Sequence, residues 1–327
     1  MALRRPTFRL RRFLPAQAAA YIFLRYIIAA LDVFTYDFAR RVGKLIGRIM
    51  YVLDAKHRRI AVKNIQRAEG MPKSDREVHR LVRRVYEHFA VGAIETLLMP
   101  RMMTRGDLDR VARFEGLHLL DEALAKGRGA IVVLGHLGNW ELLGLAISLK
   151  GYDLSSIARP IENPFLDRYV NRLRRSTGQR IIPKHQAVRS MGESLKANKI
   201  LAILGDQNAR KNGIFVPFFG RPAATVKSPA LMALKYGAPI FVANLFRSGR
   251  HEHWCVMTGP VPIPRGLDRP KAVEKITSDV TARLEAFIRQ HPEQWMWLHA
   301  RWKTKPSNQA NEDDSEERVT SDQAELE

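Results

Sequence analysis

The chain has 327 residues, 46% of them hydrophobic, so it is long and apolar enough to bury a full core. Its 54 Lys and Arg residues against 33 Asp and Glu residues give a formal charge of +21, which predicts attraction to polyanions without saying which kind. The one cysteine, Cys255, excludes an intramolecular disulfide and a zinc site made of several cysteines. We expect Cys255 to be a buried apolar residue of a strand.

The N-terminal region is strongly basic and partly apolar. Residues 1–60 carry 13 Lys and Arg residues against 3 acidic residues. An apolar stretch runs from Ala18 to Leu31, but Arg25 interrupts it, and a bilayer span needs roughly 20 predominantly apolar residues. The same arginine argues against a signal peptide. We therefore predict that residues 1–55 form membrane-associating helices, interfacial or shallowly anchored, and that the rest of the chain stays in the cytoplasm.

Residues 34–100 have a helical pattern. Apolar residues return at spacings of three and four, as in the set Val42, Leu45, Ile46, Ile49 and Val52. The pattern breaks at residues 71–75, where Ser74 is a suitable N-cap for the next helix. Two interpretations stay open. The helices form either an amphipathic layer or a membrane-facing subdomain, since basic residues beside aromatic residues favour anionic lipid surfaces.

From Gly116 onward, short β-rich apolar segments alternate with helical patterns. The candidate strands are Ala130–Leu134, Leu154–Ala158, Ile200–Leu204, Ile240–Phe246 and Trp254–Met257. The candidate helices are Glu141–Leu149, Pro164–Ser176, Ala187–Lys196, Ser228–Tyr236 and Ala272–Arg289. This alternation predicts an α/β fold with a mostly parallel central sheet flanked by helices, in residues 56–306. Residues 307–327 are acidic, with few large apolar groups, and are expected to be a disordered tail.

The segment Gly135–Glu141 carries the clearest chemistry and directly follows the strand Ala130–Leu134. Ligand sites in α/β sheets form at the carboxyl ends of strands, and His136 lies at such an end. Asn139 is a suitable N-cap that places Glu141 in the first helical turn, from which its carboxylate is expected to turn back toward the imidazole. The two residues would then be the base and the orienting acid of a triad that lacks a protein nucleophile. The alternative is a structural role for both residues, because a histidine and an acid at this spacing also occur by chance.

Two motifs are missing from the sequence. No Gly-x-Ser-x-Gly elbow occurs, which argues against an acyl-enzyme of the hydrolase type, so the attacking group is expected to be the acceptor's own hydroxyl. No Gly-x-Gly-x-x-Gly follows a candidate strand, which disfavours a dinucleotide-binding role.

The segment GHLGNWE resembles the His-x4-Asp/Glu signature of glycerolipid acyltransferases, in the form typical of the bacterial lipid A late acyltransferases. Further stretches are similar to other blocks of that family and stand in the expected order: Ile157–Pro164, Gly205–Asn208, Val216–Thr225 and Trp295–Lys303. The resemblance extends from about Arg58 to Pro306. The last block differs at His299-Ala300-Arg301, where the family often has His-Arg-Arg, and this weakens a phosphate-binding role for that block.

The resemblance implies an O-acyltransferase of the cytoplasmic face of the inner membrane. Its donor would be acyl carrier protein or acyl-CoA, and its acceptor a hydroxyl of a lipid A precursor. An anionic membrane surface is a further partner that the basic composition fits. No nucleic-acid recognition motif is present, and no cofactor is expected. Two alternatives remain: the same chemistry on a lysophospholipid, an ornithine-type lipid or a glycolipid, or a non-catalytic basic membrane-binding protein.

Four residues are expected to bind substrate. Arg159 follows a strand and offers a planar bidentate donor for a phosphate, with a structural ion pair as the alternative. Asp206 and Gln207 follow the strand Ile200–Leu204, so they should reach the same edge of the sheet as His136 and shape the site there. Lys227 is expected to contact a phosphate or merely to begin a helix.

An aromatic pair and a histidine-rich triplet each allow two interpretations. Phe218 and Phe219 could line an acyl channel, although an aromatic pair is more often part of a core. The triplet His251-Glu252-His253 suggests a metal site, but two histidines and one carboxylate are more often an exposed turn between strands. No metal is assigned.

Overall fold

The computed structural model describes residues 8–102, 108–158, 160–183, 187–249 and 252–306. The helices in these residues are α1 (Phe8–Val33), α2 (Tyr36–Leu53), α3 (Ala55–Arg67), α4 (Asp75–Met102), α5 (Leu108–Val111), α6 (His118–Leu124), α7 (Trp140–Leu149), α8 (Pro164–Ser176), α9 (Ala187–Lys196), α10 (Ser228–Tyr236) and α11 (Arg269–Gln290). The strands are β1 (Ala112–Glu115), β2 (Ala130–Leu134), β3 (Leu154–Ala158), β4 (Arg180–Pro183), β5 (Ile200–Leu204), β6 (Ile214–Phe218), β7 (Arg221–Thr225), β8 (Ile240–Arg247) and β9 (His253–Thr258).

A seven-stranded sheet forms the centre of the fold, with the strand order β1-β9-β8-β2-β5-β3-β4. The strands β8, β2, β5, β3 and β4 run parallel to one another. β9 runs antiparallel to β8, and β1 pairs parallel with β9. The hairpin β6–β7 is a separate two-stranded sheet. The predicted α/β fold with a mostly parallel sheet is confirmed.

The central strand β2 shows why helices cover both faces of the sheet. All five of its residues are buried. Successive side chains of a strand point to opposite faces, so Ala130, Val132 and Leu134 join the apolar cluster that contains α6 and α7. Ile131 and Val133 join the cluster on the other face, with α9, α10, α11 and the hairpin β6–β7. The sheet is therefore the middle layer between two cores.

Helix α2 packs on α4 through its small residues. Gly43 and Gly47 are buried there, and a Cβ added to Gly47 would lie 2.5 Å from the Glu87 Cα. Its large apolar residues face outward instead, with Leu45 57% exposed and Ile49 49% exposed. The apolar periodicity of this segment therefore does not mark its core-facing side. Of the two interpretations left open by the sequence, this arrangement favours a membrane-facing subdomain.

Helix α1 also carries exposed large apolar residues, among them Phe23 and Tyr26. Its Ile28 is buried with Ile94 of α4, and Tyr21 stacks on Phe165 of α8. Over the described ranges, no helix combines the length and the hydropathy that a bilayer crossing requires. The boundary at residue 55 between the N-terminal helices and the α/β domain stays a prediction, and residues 307–327 lie outside the described residues.

The predicted strands and helices from Gly116 onward correspond to β2, β3, β5, β8, β9 and to α7–α11, with ends that differ by three residues at most. The strands β1, β4, β6 and β7 were not predicted, because β1, β4 and β7 contain charged residues and β4, β6 and β7 contain proline, which disfavours a strand. Ser74 directly precedes α4, and its hydroxyl donates to Glu77, which agrees with its predicted place at the start of that helix.

Of the structural expectations for Cys255 and for the turn at residues 251–253, one is confirmed and one is wrong. Cys255 is a buried strand residue, as predicted. His253 was expected in an exposed turn, and this was wrong: it is the first residue of β9 and is fully buried. Its neighbour Glu252 is exposed, and His251 lies outside the described residues.

Candidate active site

The central strands place His136 and Asp206 side by side. β2 and β5 are parallel neighbours in register, with Leu134 opposite Leu204. His136 and Asp206 each stand two residues beyond these paired ends. Because their strands stop at the same level, the two side chains emerge at the same edge of the sheet.

Asp206 binds His136 through both carboxylate oxygens. The Nδ1 of His136 lies 2.7 Å from Oδ1, and the backbone N–H of His136 donates to Oδ2 over 2.6 Å. Trp295 Nε1 donates to the same Oδ2 over 2.8 Å. Burial alone would raise the pKa of Asp206, but the neighbouring imidazole and these hydrogen bonds outweigh it and lower the pKa to about 2. An ionised Asp206 fixes the Nδ1–H tautomer and leaves the lone pair on Nε2.

The acid that contacts His136 is therefore not the one that the sequence suggested. Glu141 stands in the first turn of α7, as predicted, but its carboxylate accepts from Arg174 of α8, with Oε2 2.9 Å from Nε and Oε1 2.5 Å from Nη2. Among the described contacts, no hydrogen bond joins Glu141 to His136. The expected orienting contact from Glu141 to the imidazole is therefore corrected: the Glu141 carboxylate faces Arg174 of α8, and Asp206, two residues beyond the end of β5, makes that contact.

The turn between β2 and α7 has a shape that only glycine adopts easily. Gly138 has a φ of +63°, and a Cβ there would lie 2.0 Å from the Leu245 carbonyl oxygen. Asn139 then begins α7, since its Oδ1 accepts from the N–H of Leu142 over 3.2 Å. The predicted N-cap is confirmed. The turn carries His136 at a fixed distance from the strand end.

A buried ionic cluster supports this turn from behind. Glu95 of α4 accepts from Arg247 of β8 with both oxygens and from Tyr36 of α2. His88 lies 2.6 Å from Arg247 and 3.1 Å from the Gly138 carbonyl oxygen. Burial would raise the pKa of Glu95, but Arg247 and the nearby His253 hold it well below its usual value. Burial, with the charge of Arg247, lowers the pKa of His88 to about 3, so His88 is neutral and donates from Nε2 to the turn.

The Nε2 of His136 points away from Asp206, toward the side from which a substrate can approach. The side chain is 14% exposed. Gln207 Nε2 lies 3.2 Å from His136 Nε2, and the Trp140 ring lies 5.0 Å from the imidazole, centroid to centroid. A small hydroxyl group must approach from this side to give its proton to the lone pair.

An apolar cavity lies beside the site, between α7 and the sheet. Its free volume is about 50 Å³. Trp140, Glu141 and Arg174 stand among its polar and aromatic lining, and Leu143, Gly144, Ile147, Leu154, Ala202 and Leu204 among its small and aliphatic lining. Since Trp140 touches both this cavity and the imidazole, the cavity reaches the neighbourhood of His136.

The other predicted site residues have different positions. Arg159 lies outside the described residues. Lys227 is exposed at the start of α10 and borders an open depression with Leu231 and Arg269, which shares no lining residue with the apolar cavity. Only Asp206 and Gln207 of the four predicted substrate-binding residues contact His136 in the described part of the chain.

The aromatic pair belongs to the core. Phe218 is 1% exposed and Phe219 is 0% exposed, and both pack against Trp295. Neither lines the apolar cavity, so of the two alternatives for this pair the structure has the core position, which is the more frequent one.

The C-terminal block is internal as well. Arg301 is 0% exposed, donates to the Ala224 carbonyl and to Thr225, and stands over the Phe218 ring. Burial lowers the pKa of Arg301 to about 10. His299 Nε2 accepts from the backbone N–H of Asn208 over 3.1 Å. His299 therefore holds the segment after β5, and Arg301 holds β7, so both side chains are engaged inside the protein.

Sequence reasoning missed Arg174, Trp295 and the cluster of His88, Glu95 and Arg247. Trp295 had a signal, since it begins the last family-like block. The others had none, because Arg174 pairs with a residue 33 positions away, and Arg247 with residues 152 and 159 positions away, only through the tertiary fold.

Comparison with known proteins adds the family context. A family model described as bacterial lipid A biosynthesis acyltransferase matches residues 6–304. A phosphatidylinositol mannoside acyltransferase of Mycobacterium tuberculosis is 28% identical over 60% of this chain and 60% of its own length. A lipid A biosynthesis acyltransferase 2 of Shigella flexneri is 24% identical over 88% of this chain and 91% of its own length. A lipid A biosynthesis acyltransferase of Haemophilus influenzae is 26% identical over 83% of this chain and 86% of its own length.

Proposed function

Because this chain belongs to the bacterial lipid A biosynthesis acyltransferase family, we propose that it moves a fatty acyl group from a thioester, of acyl carrier protein or CoA, to a hydroxyl of a lipid acceptor. The observation that carries the proposal is the His136–Asp206 pair, which leaves the imidazole Nε2 as an acceptor beside Gln207, while the Trp140 ring contacts the imidazole and lines an apolar cavity. Such a pair has the parts that a general base needs: a lone pair and a carboxylate that fixes the tautomer.

His136 is the general base of the proposed reaction. Its Nε2 takes the proton of the acceptor hydroxyl while the hydroxyl oxygen forms a bond to the thioester carbon. The C–S bond then breaks, and the leaving thiolate takes the proton from the imidazolium. Asp206 stabilises the imidazolium during these steps, because its ionised carboxylate lies 2.7 Å from Nδ1.

Direct transfer fits the surroundings of the base better than an acyl-enzyme. In the described residues, the hydrogen-bond partner of His136 Nε2 is Gln207, and no serine, threonine or cysteine hydroxyl or thiol takes that place. Cys255 is buried in β9, and burial raises its pKa to about 12, so it is not a thiolate at neutral pH. The acceptor's hydroxyl is then the nucleophile.

The cavity between α7 and the sheet is proposed to receive the acyl chain, and its lining must move apart to admit the chain, because its free volume here is about 50 Å³. Its lining is largely aliphatic, which suits a hydrocarbon. Glu141 and Arg174 also line this cavity, and they form an ion pair with each other. The acyl chain therefore lies next to a paired charge and not next to an isolated one.

The acceptor is proposed to be a glycolipid, first of all a lipid A precursor. The Shigella flexneri and Haemophilus influenzae relatives named for lipid A biosynthesis align over most of their length. A mannosylated lipid is the second candidate, because the Mycobacterium tuberculosis relative named for phosphatidylinositol mannoside has the higher identity, 28%, over a shorter alignment. Lysophospholipids and ornithine-type lipids have no such support.

The protein is proposed to act at the cytoplasmic face of the inner membrane as a peripheral or monotopic protein. Large apolar residues are exposed along α1, α2 and the link between them: Ile22, Phe23, Tyr26, Phe34, Phe38, Leu45, Ile46, Ile49, Met50, Val52 and Leu53. Arg41, Lys44 and Arg48 are exposed on α2 beside them. An apolar face edged by basic residues inserts between lipid headgroups and binds anionic lipids.

The test combines lipid analysis with purified protein. Deletion of the gene should remove one acyl chain from one glycolipid species, measured by mass spectrometry. The purified protein should transfer that chain from acyl carrier protein or from CoA to the deacylated lipid, and the His136→Ala variant should fold but transfer nothing. Vesicle binding without any transfer by the wild-type protein would instead support the non-catalytic alternative.

A further inference from the structure

The lone pair of the proposed base is already engaged in the free protein. Asp206 is ionised, so His136 carries its proton on Nδ1 and its Nε2 accepts. Gln207 Nε2 lies 3.2 Å from this nitrogen. Only the amide N–H₂ of Gln207 can face a lone pair, because its carbonyl oxygen would repel it. Gln207 therefore donates to the base.

The substrate must take this same place. A general base has to lie within about 2.6–3.2 Å of the hydroxyl that it deprotonates. The carboxamide of Gln207 stands at that distance, so the acceptor hydroxyl and Gln207 compete for one lone pair. Binding of the acceptor displaces the amide.

The environment of Gln207 allows this displacement without moving the backbone. The residues on either side are held: Asp206 by His136 and Trp295, and the Asn208 N–H by His299. By contrast, the contact with His136 is the one hydrogen bond that the described structure gives the Gln207 side chain. A rotation about the side-chain torsions is enough to free the amide.

We propose that Gln207 is a catalytic residue whose carboxamide N–H₂ caps His136 Nε2 in the free enzyme and, once the acceptor hydroxyl takes its place, donates to the thioester carbonyl oxygen. This inference rests on the proposed function. When the acceptor oxygen attacks, it becomes bonded to the thioester carbonyl carbon. The carbonyl oxygen then lies two bonds from the acceptor oxygen, and it is within reach of the Gln207 amide that the acceptor displaced. As the C–O bond forms, negative charge builds on this oxygen, and the amide stabilises it until the charge returns and expels the thiolate.

Two variants separate this role from a structural one. Gln207→Leu has no donor, so kcat should fall about 100- to 1000-fold, the loss typical for one oxyanion donor. The KM for the acceptor should stay the same or fall, because nothing competes for the lone pair. Gln207→Glu puts a carboxylate beside Nε2 and favours the imidazolium, so the acid limb of the kcat/KM profile should move to higher pH by about one unit.

A second readout does not need turnover. The imidazole of His136 in labelled full-length protein, followed by NMR, should titrate at higher pH in Gln207→Glu. Gln66→Glu, which makes the same charge change on exposed α3, is the control and should leave both the titration and the rates as in wild type. Circular dichroism reports whether each variant folds.

The outcomes distinguish this inference from the proposed function. Near wild-type kcat in Gln207→Leu, or a raised acceptor KM with kcat unchanged, would overturn the catalytic role of Gln207 while leaving His136 as the base. An unchanged His136 titration in Gln207→Glu would overturn the capping contact. Loss of the proposed function is a separate result, seen as full transfer by His136→Ala or as no transfer by the wild type.

Discussion

Asp206 accepts hydrogen bonds from both the side chain and the backbone of His136, so one carboxylate fixes the imidazole and the turn that carries it. The two residues are 70 positions apart in the sequence and come together because β2 and β5 are adjacent and end at the same level. The acid predicted from the spacing, Glu141, forms an ion pair with Arg174 instead. This arrangement leads to separate expectations for the two acids.

Replacing Asp206 should abolish most of the activity. In Asp206→Asn, the amide donates toward the imidazole and favours the wrong tautomer, so kcat should fall by about 10³–10⁴-fold. Steady-state acyl transfer measures this. The control is Asp153→Asn, an exposed aspartate that pairs with Lys199, which should keep wild-type rates. A Asp206→Asn variant with most of its kcat left would contradict the role of this carboxylate.

Replacing Glu141 should affect stability more than the base. Glu141→Gln leaves the Arg174 guanidinium without its anion in a partly buried position, which should cost about 1.5–3 kcal/mol of unfolding free energy. Urea denaturation measures this loss, and Glu141→Gln/Arg174→Met should recover part of it. The acid limb of the pH profile should not move, since Glu141 does not contact His136. A shift of that limb in Glu141→Gln would restore Glu141 as the orienting acid.

The stabilising effect of Asp206 should disappear in acid. Its pKa of about 2 in the folded state lies below the value of about 3.9 for an unfolded chain, so the contribution is present above pH 4. It is lost as the pH falls from about 4 to about 2, and its size is about 2–3 kcal/mol. The unfolding free energies of wild type and Asp206→Asn, compared from pH 7 downward, should therefore converge. A difference that is constant with pH would argue against an ionised Asp206.

The exposed apolar face of α2 should decide membrane binding. Ile49→Glu removes an apolar side chain that is 49% exposed, so folding should be unaffected while binding to anionic vesicles weakens about tenfold or more. Vesicle co-sedimentation measures this. Val188→Glu, on α9 and 70% exposed, is the matched control. Equal loss of binding in both variants would place the membrane contact elsewhere.

Filling the cavity should change the preferred acyl chain. Ala202 lies on β5 and lines the cavity, so Ala202→Leu takes up space that the chain would occupy. The ratio of kcat/KM for long against short acyl donors should fall by about tenfold, since each displaced methylene costs about 0.8 kcal/mol. The matched control is Ala233→Leu on the opposite face of the sheet, assayed with the same donors. An unchanged ratio in Ala202→Leu would move the acyl chain out of this cavity.

The sequence by itself determined most of the strands and helices and which residues share the edge of the sheet where the site lies. Periodicity in residues 130–134 and 200–204 identified two buried strands, and residues that follow parallel strands must share an edge of the sheet, so His136, Asp206 and Gln207 were expected in one region. The cap at Asn139 also followed from local chemistry, because an N-cap bonds to an N–H only three residues away.

The pairing of the side chains was decided only by the tertiary structure. Spacing along the chain placed Glu141 one turn from His136, but the direction of a side chain depends on which helix packs beside it, and α8 supplied Arg174. The periodic apolar residues of α2 were misleading for the same reason, since Gly43 and Gly47 allow α4 to approach so closely that the large residues face outward. Contacts between residues far apart in the chain arise when strands order themselves in a sheet, and local patterns carry no record of that order.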